Sequence, residues 1–199
     1  KNMVLLAMKQ TAKGTPATPT GALNAILCRG LMPSTIKGKF VERNLIQGAK
    51  GNFGALFASG HRQFEFEVEL AGSGAAGTAP KFGPLLLGCD FSETLTASTS
   101  AVYQPVAGVG GYMTLIANLD GVEFKMTDAR GSVSISLNAE EIPVMKFTYI
   151  GKYHALTDSE FPAGVVFTGF QQPLTVGHLN TATFTLWAIP IVTKSFGLD

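Results

Sequence analysis

The residues Gly72-Ser73-Gly74-Ala75-Ala76-Gly77 have the G-x-G-x-x-G spacing that lets backbone amides hold a pyrophosphate. Glu93 stands about 20 residues on, where an acid could bind a ribose hydroxyl. The context contradicts that chemistry. The preceding stretch, Gln63 to Leu70, alternates Phe64, Phe66, Val68 and Leu70 with three glutamates, whereas the strand before a dinucleotide loop is buried on both faces and reads as one apolar run. Pro80 and Pro84 also prevent a long helix from starting within the glycines, and no βαβ units follow. A flexible loop fits better. Gly48-Ala49-Lys50-Gly51 lacks the G-x-x-x-x-G-K-[ST] spacing of a phosphate loop and reads as a loop too.

Glu65, Glu67 and Glu69 would fall on one face of a strand, about 6.8 Å apart. Three carboxylates in one environment are not differentiated into an acid and a base, and no His, Lys or Arg pattern separates them. They read as a solvated face. A sharper expectation is that they line a conduit for a polyanion, where like charges keep it from adhering. No Ser, Thr or Cys can be matched to a base: His61, His154 and His178 lie in different neighbourhoods, and no G-x-S-x-G occurs. Cys28 and Cys89, 61 residues apart and remote from the histidines, give neither a zinc pattern nor a disulfide framework, and read as two buried thiols in a reducing compartment. Trp187 lies in an alternating stretch that explains it as strand packing. The expectation is a protein without catalytic residues, metal or cofactor.

Composition asks for a partner. Of the 199 residues, 15% are charged and 46% apolar, with mean hydropathy +0.24 and net charge +1. Ordinary soluble domains carry about 25% charged residues, so this chain is short of solvating surface. Phe161 to Thr193 contains no charged residue, but Pro162, Pro173, Pro190 and several glycines and amides interrupt it, so a span of ~20 apolar helical residues does not fit. Self-association is the simplest cover for the surplus. The scattered charges form no basic stripe, so tight nucleic-acid binding is not indicated. The chain opens on Lys1 with no secretory signal, implying that residues precede it and that it is made in a cytoplasm.

The elements that must position these residues are strands. Period-two patterns occupy Gln63–Leu70, Tyr112–Ala117, Val122–Met126, Ser132–Leu137, Val144–Ile150, Val165–Phe167 and Thr181–Ile189. Asp120-Gly121 predicts a tight hairpin turn. Many short strands imply a mainly β protein, an antiparallel barrel or sandwich, as a single domain. One short helix is expected near Pro80–Cys89. Two stretches read as loop arms, about 10–21 and 44–61. The second carries Leu45, Ile46, Phe53, Leu56 and Phe57, which a solvated linker does not need, and is expected to dock between subunits.

Several segments together carry a family resemblance: VERN at Val41–Asn44, GNFG at Gly51–Gly54, FEFEVELAGSGAAGTAPKFGPLLLGC at Phe64–Cys89, NLDG at Asn118–Gly121, ARGSVSISLNAEEIP at Ala129–Pro143, and GTPATPTGALNAILC at Gly14–Cys28. From about Met3 to Leu174 the chain resembles the major tail tube proteins of siphophages, the long-tailed bacteriophages. The resemblance implies a virion protein, assembled in the host cytoplasm, whose hexameric rings stack around a tape measure protein into a tube that carries DNA during ejection. A tail terminator and a distal tail protein would be further partners. Such proteins continue past the point where this chain ends, so a partial chain whose last strand, at Phe196–Asp199, is an unpaired edge is expected. A secretion-tube or pilus-type subunit is the alternative. An extracellular β-sandwich lectin or adhesin ranks below both, with Trp187 its only candidate platform.

Overall fold

The computed structural model describes residues 2–43, 54–108, 110–177, 179–180, 185–186, 189–190 and 194–198. In chain order the elements are β1 (Met3–Lys9), α1 (Gly21–Asn24), β2 (Ala25–Ile26), β3 (Arg29–Pro33), β4 (Lys37–Glu42), β5 (Ala55–Glu69), α2 (Gly83–Leu87), β6 (Phe91–Thr96) and β7 (Ser100–Pro105). There follow β8 (Met113–Leu119), β9 (Val122–Asn138), β10 (Val144–Tyr153), β11 (Thr157–Asp158), β12 (Thr185–Leu186), β13 (Ile189–Pro190) and β14 (Ser195–Leu198). The protein is mainly β, and its strand pairs are antiparallel. The main sheet runs β2-β1-β8-β9-β10-β5-β3, with β4 added to β5 and both β11 and β14 to β9.

The centre of the sheet is fixed by aromatic pairs. Phe64, Phe66 and Val68 of β5 stand opposite Tyr149, Phe147 and Met145 of β10, and all six are buried. Phe66 stacks on Phe147 with ring centroids 5.6 Å apart, and Phe147 on Tyr149 at 6.3 Å. Helix α2 lies over them: Leu85 and Leu86 are buried, and the Tyr149 hydroxyl donates to the Leu85 carbonyl. Tyr149 faces Gly131 on β9, where a Cβ would sit 2.8 Å from the ring, so glycine is what lets the aromatic ring lie across the ladder.

Several expectations are met and others corrected. Strands cover the stretches from Gln63, Tyr112, Val122, Ser132 and Val144, and the Asp120-Gly121 hairpin turn joins β8 to β9. Val122–Met126 and Ser132–Leu137 form one strand, because the intervening residues make a bulge at Asp128 (φ 49) while β8 and β10 keep pairing on either side. Val165–Phe167 is not a strand. Val165 and Phe167 pack on Val4, Leu6 and Ala25, covering the second face of β1, after a turn at Gly164 (φ 66). The run 55–61 is strand rather than loop, since β5 starts at Ala55. The stretch 10–20 has no regular structure yet lies against the sheet: Gly14 N–H donates to Asp128 Oδ1 (2.7 Å) and Ala17 N–H to Thr114 Oγ1 (3.0 Å). The final strand is not unpaired, because β14 adds to β9 from Asn138 to Ile135. Most of Thr181–Ile189, with Trp187, lies outside the described residues.

Phe66 also stacks on Tyr149 at 6.1 Å, so removing one ring of this mutually packed trio should be costly. Phe147→Ala is expected to lower unfolding free energy by about 3–5 kcal/mol in urea titrations, and a loss below about 1 kcal/mol would mean that the rings are not the core's main support.

Candidate functional site

Two surfaces built on β5 are candidates. The first is its carboxylate face. With Phe64, Phe66 and Val68 inward, Glu65, Glu67 and Glu69 point to the opposite side and are half-buried. Their neighbours change the face's character. On β10, Thr148 stands opposite Glu65, Lys146 opposite Glu67 and Val144 opposite Glu69; on β3, Arg29 stands opposite Glu67 and Met32 opposite Glu65. Arg29 Nε donates to Glu67 Oε2 at 2.8 Å, and Gln63 Nε2 to Glu65 Oε1 at 2.6 Å. Beyond β10 the rows continue as Ser132, Ser134 and Ser136 of β9. The face is therefore a lattice of hydroxyls with three carboxylates and the cations Arg29 and Lys146, and at its edge Lys37 Nζ donates to Gln63 Oε1 at 2.6 Å. Sequence alternation placed the acids together but could not reveal Arg29 and Lys146, which arrive by pairing across strands.

The second surface is an arm. Beyond His61, β5 pairs with β4 and no longer with β10, so the chain continues as a two-stranded ribbon. Phe40 faces Phe57 on one side, ring centroids 5.2 Å apart, and Val41 faces Leu56 on the other. Both sides of the ribbon are thus apolar and exposed, with Phe40 at 67% and Leu56 at 61% of full accessibility. A bonded pair, Arg43 N–H to Gly54 carbonyl, marks its far end (3.3 Å). Of the five arm residues expected from sequence, Leu56 and Phe57 lie on this ribbon, while Leu45, Ile46 and Phe53 are outside the described residues. Phe40 and Val41 were missed. Their signal is a glycine-rich segment flanked on both sides by bulky apolar residues, which reads as a hairpin.

The root of the arm is set by three features. β5 carries one extra residue between Ala58 and His61 relative to β4, with Ser59 at φ 56, and bulges of this kind bend a ribbon. The Phe57 ring lies over Gly38, where a Cβ would come within 2.4 Å of it. Arg62 is fully buried, in phase with Phe64, Phe66 and Val68. Its Nε donates to the Thr35 carbonyl and its Nη1 to the Lys125 carbonyl, both at 3.1 Å. Its guanidinium lies 4.7 Å from the Tyr153 ring centroid and 5.3 Å from that of Phe124. Among the described residues Arg62 forms no ion pair, and Nη2 has no hydrogen-bond partner. Burial lowers its pKa, offset in part by Tyr153. The clamp ties β5 to the β3–β4 connection and to β9 at the point where the arm departs. The period-two phase of the core placed a charge inward, which is the sequence signal for it.

The other motifs take structural roles. Gly72–Gly77 is a loop that precedes a five-residue helix, and Gly77 sits against the Thr96–Ser98 backbone of the β6–β7 hairpin. Both cysteines are free thiols. Burial pushes Cys28 up to about 12 and Cys89 to about 11, which keeps them protonated and unreactive. His154 Nε2 lies 2.8 Å from Thr127 Oγ1, and burial, then Lys125, Lys152 and Arg62, lower its pKa. His178 lies outside the described residues. No helix among the described residues is long and apolar enough to cross a membrane.

No family profile and no curated protein sequence matches the chain. Among solved structures it is similar to a chain of the PVC sheath-tube complex, an extracellular contractile injection system in its extended state: TM-score 0.44, 9% identity, covering 79% of this chain and 88% of that one. It is similar also to the tube-terminating cap of the anti-feeding prophage (TM-score 0.42, 8% identity, 78% and 88% covered). The third is the PVC sheath/tube terminator (TM-score 0.43, 9%, 78% and 93%). At such scores and identities function has to be argued from this chain's own residues.

The clamp can be tested without any partner. Arg62→Ala leaves the Thr35 and Lys125 carbonyls without their donor, a loss of about 1–3 kcal/mol. Hydrogen exchange at Lys37–Glu42 and Ala55–His61 should then quicken roughly 10- to 100-fold, with β1 and β8 unchanged. Uniform acceleration over the whole sheet, or none, would show that Arg62 does not hold the arm.

Proposed function

We propose that the chain is a structural subunit of a tail tube, polymerising as stacked rings into a hollow conduit through which phage DNA passes to the host. The observation that carries this reading is the arm. A ribbon two strands wide cannot bury both of its own faces, and an isolated hairpin is marginal in water. Phe40, Val41, Leu56 and Phe57 therefore need cover from outside the chain. A chain with few charged residues is suited to spending its life in contact with copies of itself, and heterologous contacts that do not close generate filaments.

The sequence resemblance to siphophage tail tube proteins gives this self-association its form: hexameric rings, stacking around a tape measure protein, capping by a terminator and attachment to a distal tail protein, all within the virion. In this reading residues 1–199 act as one tube domain. Glu65, Glu67 and Glu69 face the lumen beside the serine and threonine rows, where like charge works against adhesion of a passing polyanion.

A second reading is favoured by Arg29 and Lys146. Two cations on that face weaken the repulsion of DNA, and a tube of a secretion-type injection apparatus, loaded with protein rather than DNA, would use the same arm. The contents of the conduit separate the two.

Negative-stain microscopy of the purified full-length protein is expected to show hollow rings or tubes. The double variant Phe40→Asp/Leu56→Asp should keep the native circular dichroism and melting temperature yet form no tubes. Native protein that stays monomeric at high concentration, or variant tubes of normal length, would contradict the proposal. In phage, lysine at positions 65, 67 and 69 together should slow DNA release, and unchanged infectivity would remove these residues from the lumen.

A further inference from the structure

At the other end of β5 the molecule carries an apolar groove of about 600 Å³ between the loop 70–78 and the β6–β7 hairpin. Leu86, Phe91, Tyr103, Ile135 and Met145 contribute to its lining, and no Asp, Glu, Lys or Arg does. Its walls are shaped by features the tube reading leaves unused. The glycine-rich loop folds back so that Gly77 meets the hairpin turn, and Glu93 accepts from the Tyr103 hydroxyl, so that this polar group of the lining is already bonded.

We propose that this groove receives the arm of a second copy of the chain, with Phe40 and Phe57 as the inserting residues. The inference rests on the reading of the arm as a self-association element and names its receptor. Three observations argue for a second copy. The arm and the groove are both apolar and have no partner among the described residues of one chain, so every copy brings one of each. They lie at opposite ends of one strand: Phe57 and Val68, the residue paired with the groove residue Met145, are separated by extended chain on the order of 35 Å long, so a copy cannot fill its own groove. The arm carries Lys37, Lys39 and Arg43 against Glu42, a net positive charge, while beside the groove Glu69 and Glu93 outnumber Lys81. A projection at one pole and its receptor at the other make a heterologous contact, which propagates in one direction instead of closing into a pair. Aromatic residues seated in a dry pocket are the usual energetic centre of such contacts.

The test is complementation between two variants of the full-length protein. Phe40→Asp/Leu56→Asp keeps the groove and disables the arm, and Ala76→Arg/Ala101→Arg keeps the arm and obstructs the groove. Ala76 is exposed and Ala101 half-buried, so neither change intrudes on the core; Ala76→Glu alone serves if the double variant misfolds. Each variant alone should need at least about 30-fold more protein than the native chain to elongate. Mixed in equal amounts and followed by mass photometry, they should pair and stop at two units, whether the unit is a monomer or a ring, because the pair presents only a dead arm and a dead groove. Groove variants that elongate like the native protein, or a mixture with no pairs, overturn the groove as receptor while leaving the tube reading intact. A native protein that never assembles overturns both.

Discussion

One constraint organises the molecule: a single strand, β5, serves two environments, one sealed within the sheet and one exposed. From Arg62 to Val68 its inward side chains are sealed by β10, α2 and the aromatic stack. From Ala55 to Gly60 its one neighbour among the described residues is β4, and apolar residues stand on both faces. The first half gives the chain a core of its own. The second half leaves bulky apolar side chains exposed, and the proposal of a partner rests on that geometry more than on composition.

Arg62 stands at the boundary between these halves. A buried guanidinium without a counter-charge is costly, yet here two carbonyls and two aromatic rings hold it at the root of the arm. An apolar residue at this site would fill the space but bind neither carbonyl, and the ribbon would be free to swing about the Ser59 bulge. The arrangement makes sense for an element that must meet another subunit at a defined angle, because ordering it beforehand reduces the entropy lost on association.

Much of this was legible in the sequence, and the failures have physical causes. Alternation gave the inward phase of β5, the glutamate face and β10, because those strands have one covered face and one partly wet one. It failed at β1, where Val4 and Leu6 pack against Val165 and Phe167 while Leu5 and Ala7 join the main core, so no alternation remains. It failed at β9, which it divided into two strands where Asp128 is a bulge within one continuing strand. It divided the arm wrongly, since Gly54 and Gly60 read as loop while the chain from Ala55 onward is a regular strand. The mixture of charges on the glutamate face depends on which strands lie beside β5, which is information of register and not of local pattern.

The central claim is that another copy covers the arm, and hydrogen exchange on the native protein before and after assembly tests it most directly. The account predicts that amides of Lys37–Glu42 and Ala55–Gly60 slow strongly in the assembled state, while those of β1 and β8, already sealed in the monomer, change little. Assemblies in which the arm exchanges as fast as in the free chain would contradict it.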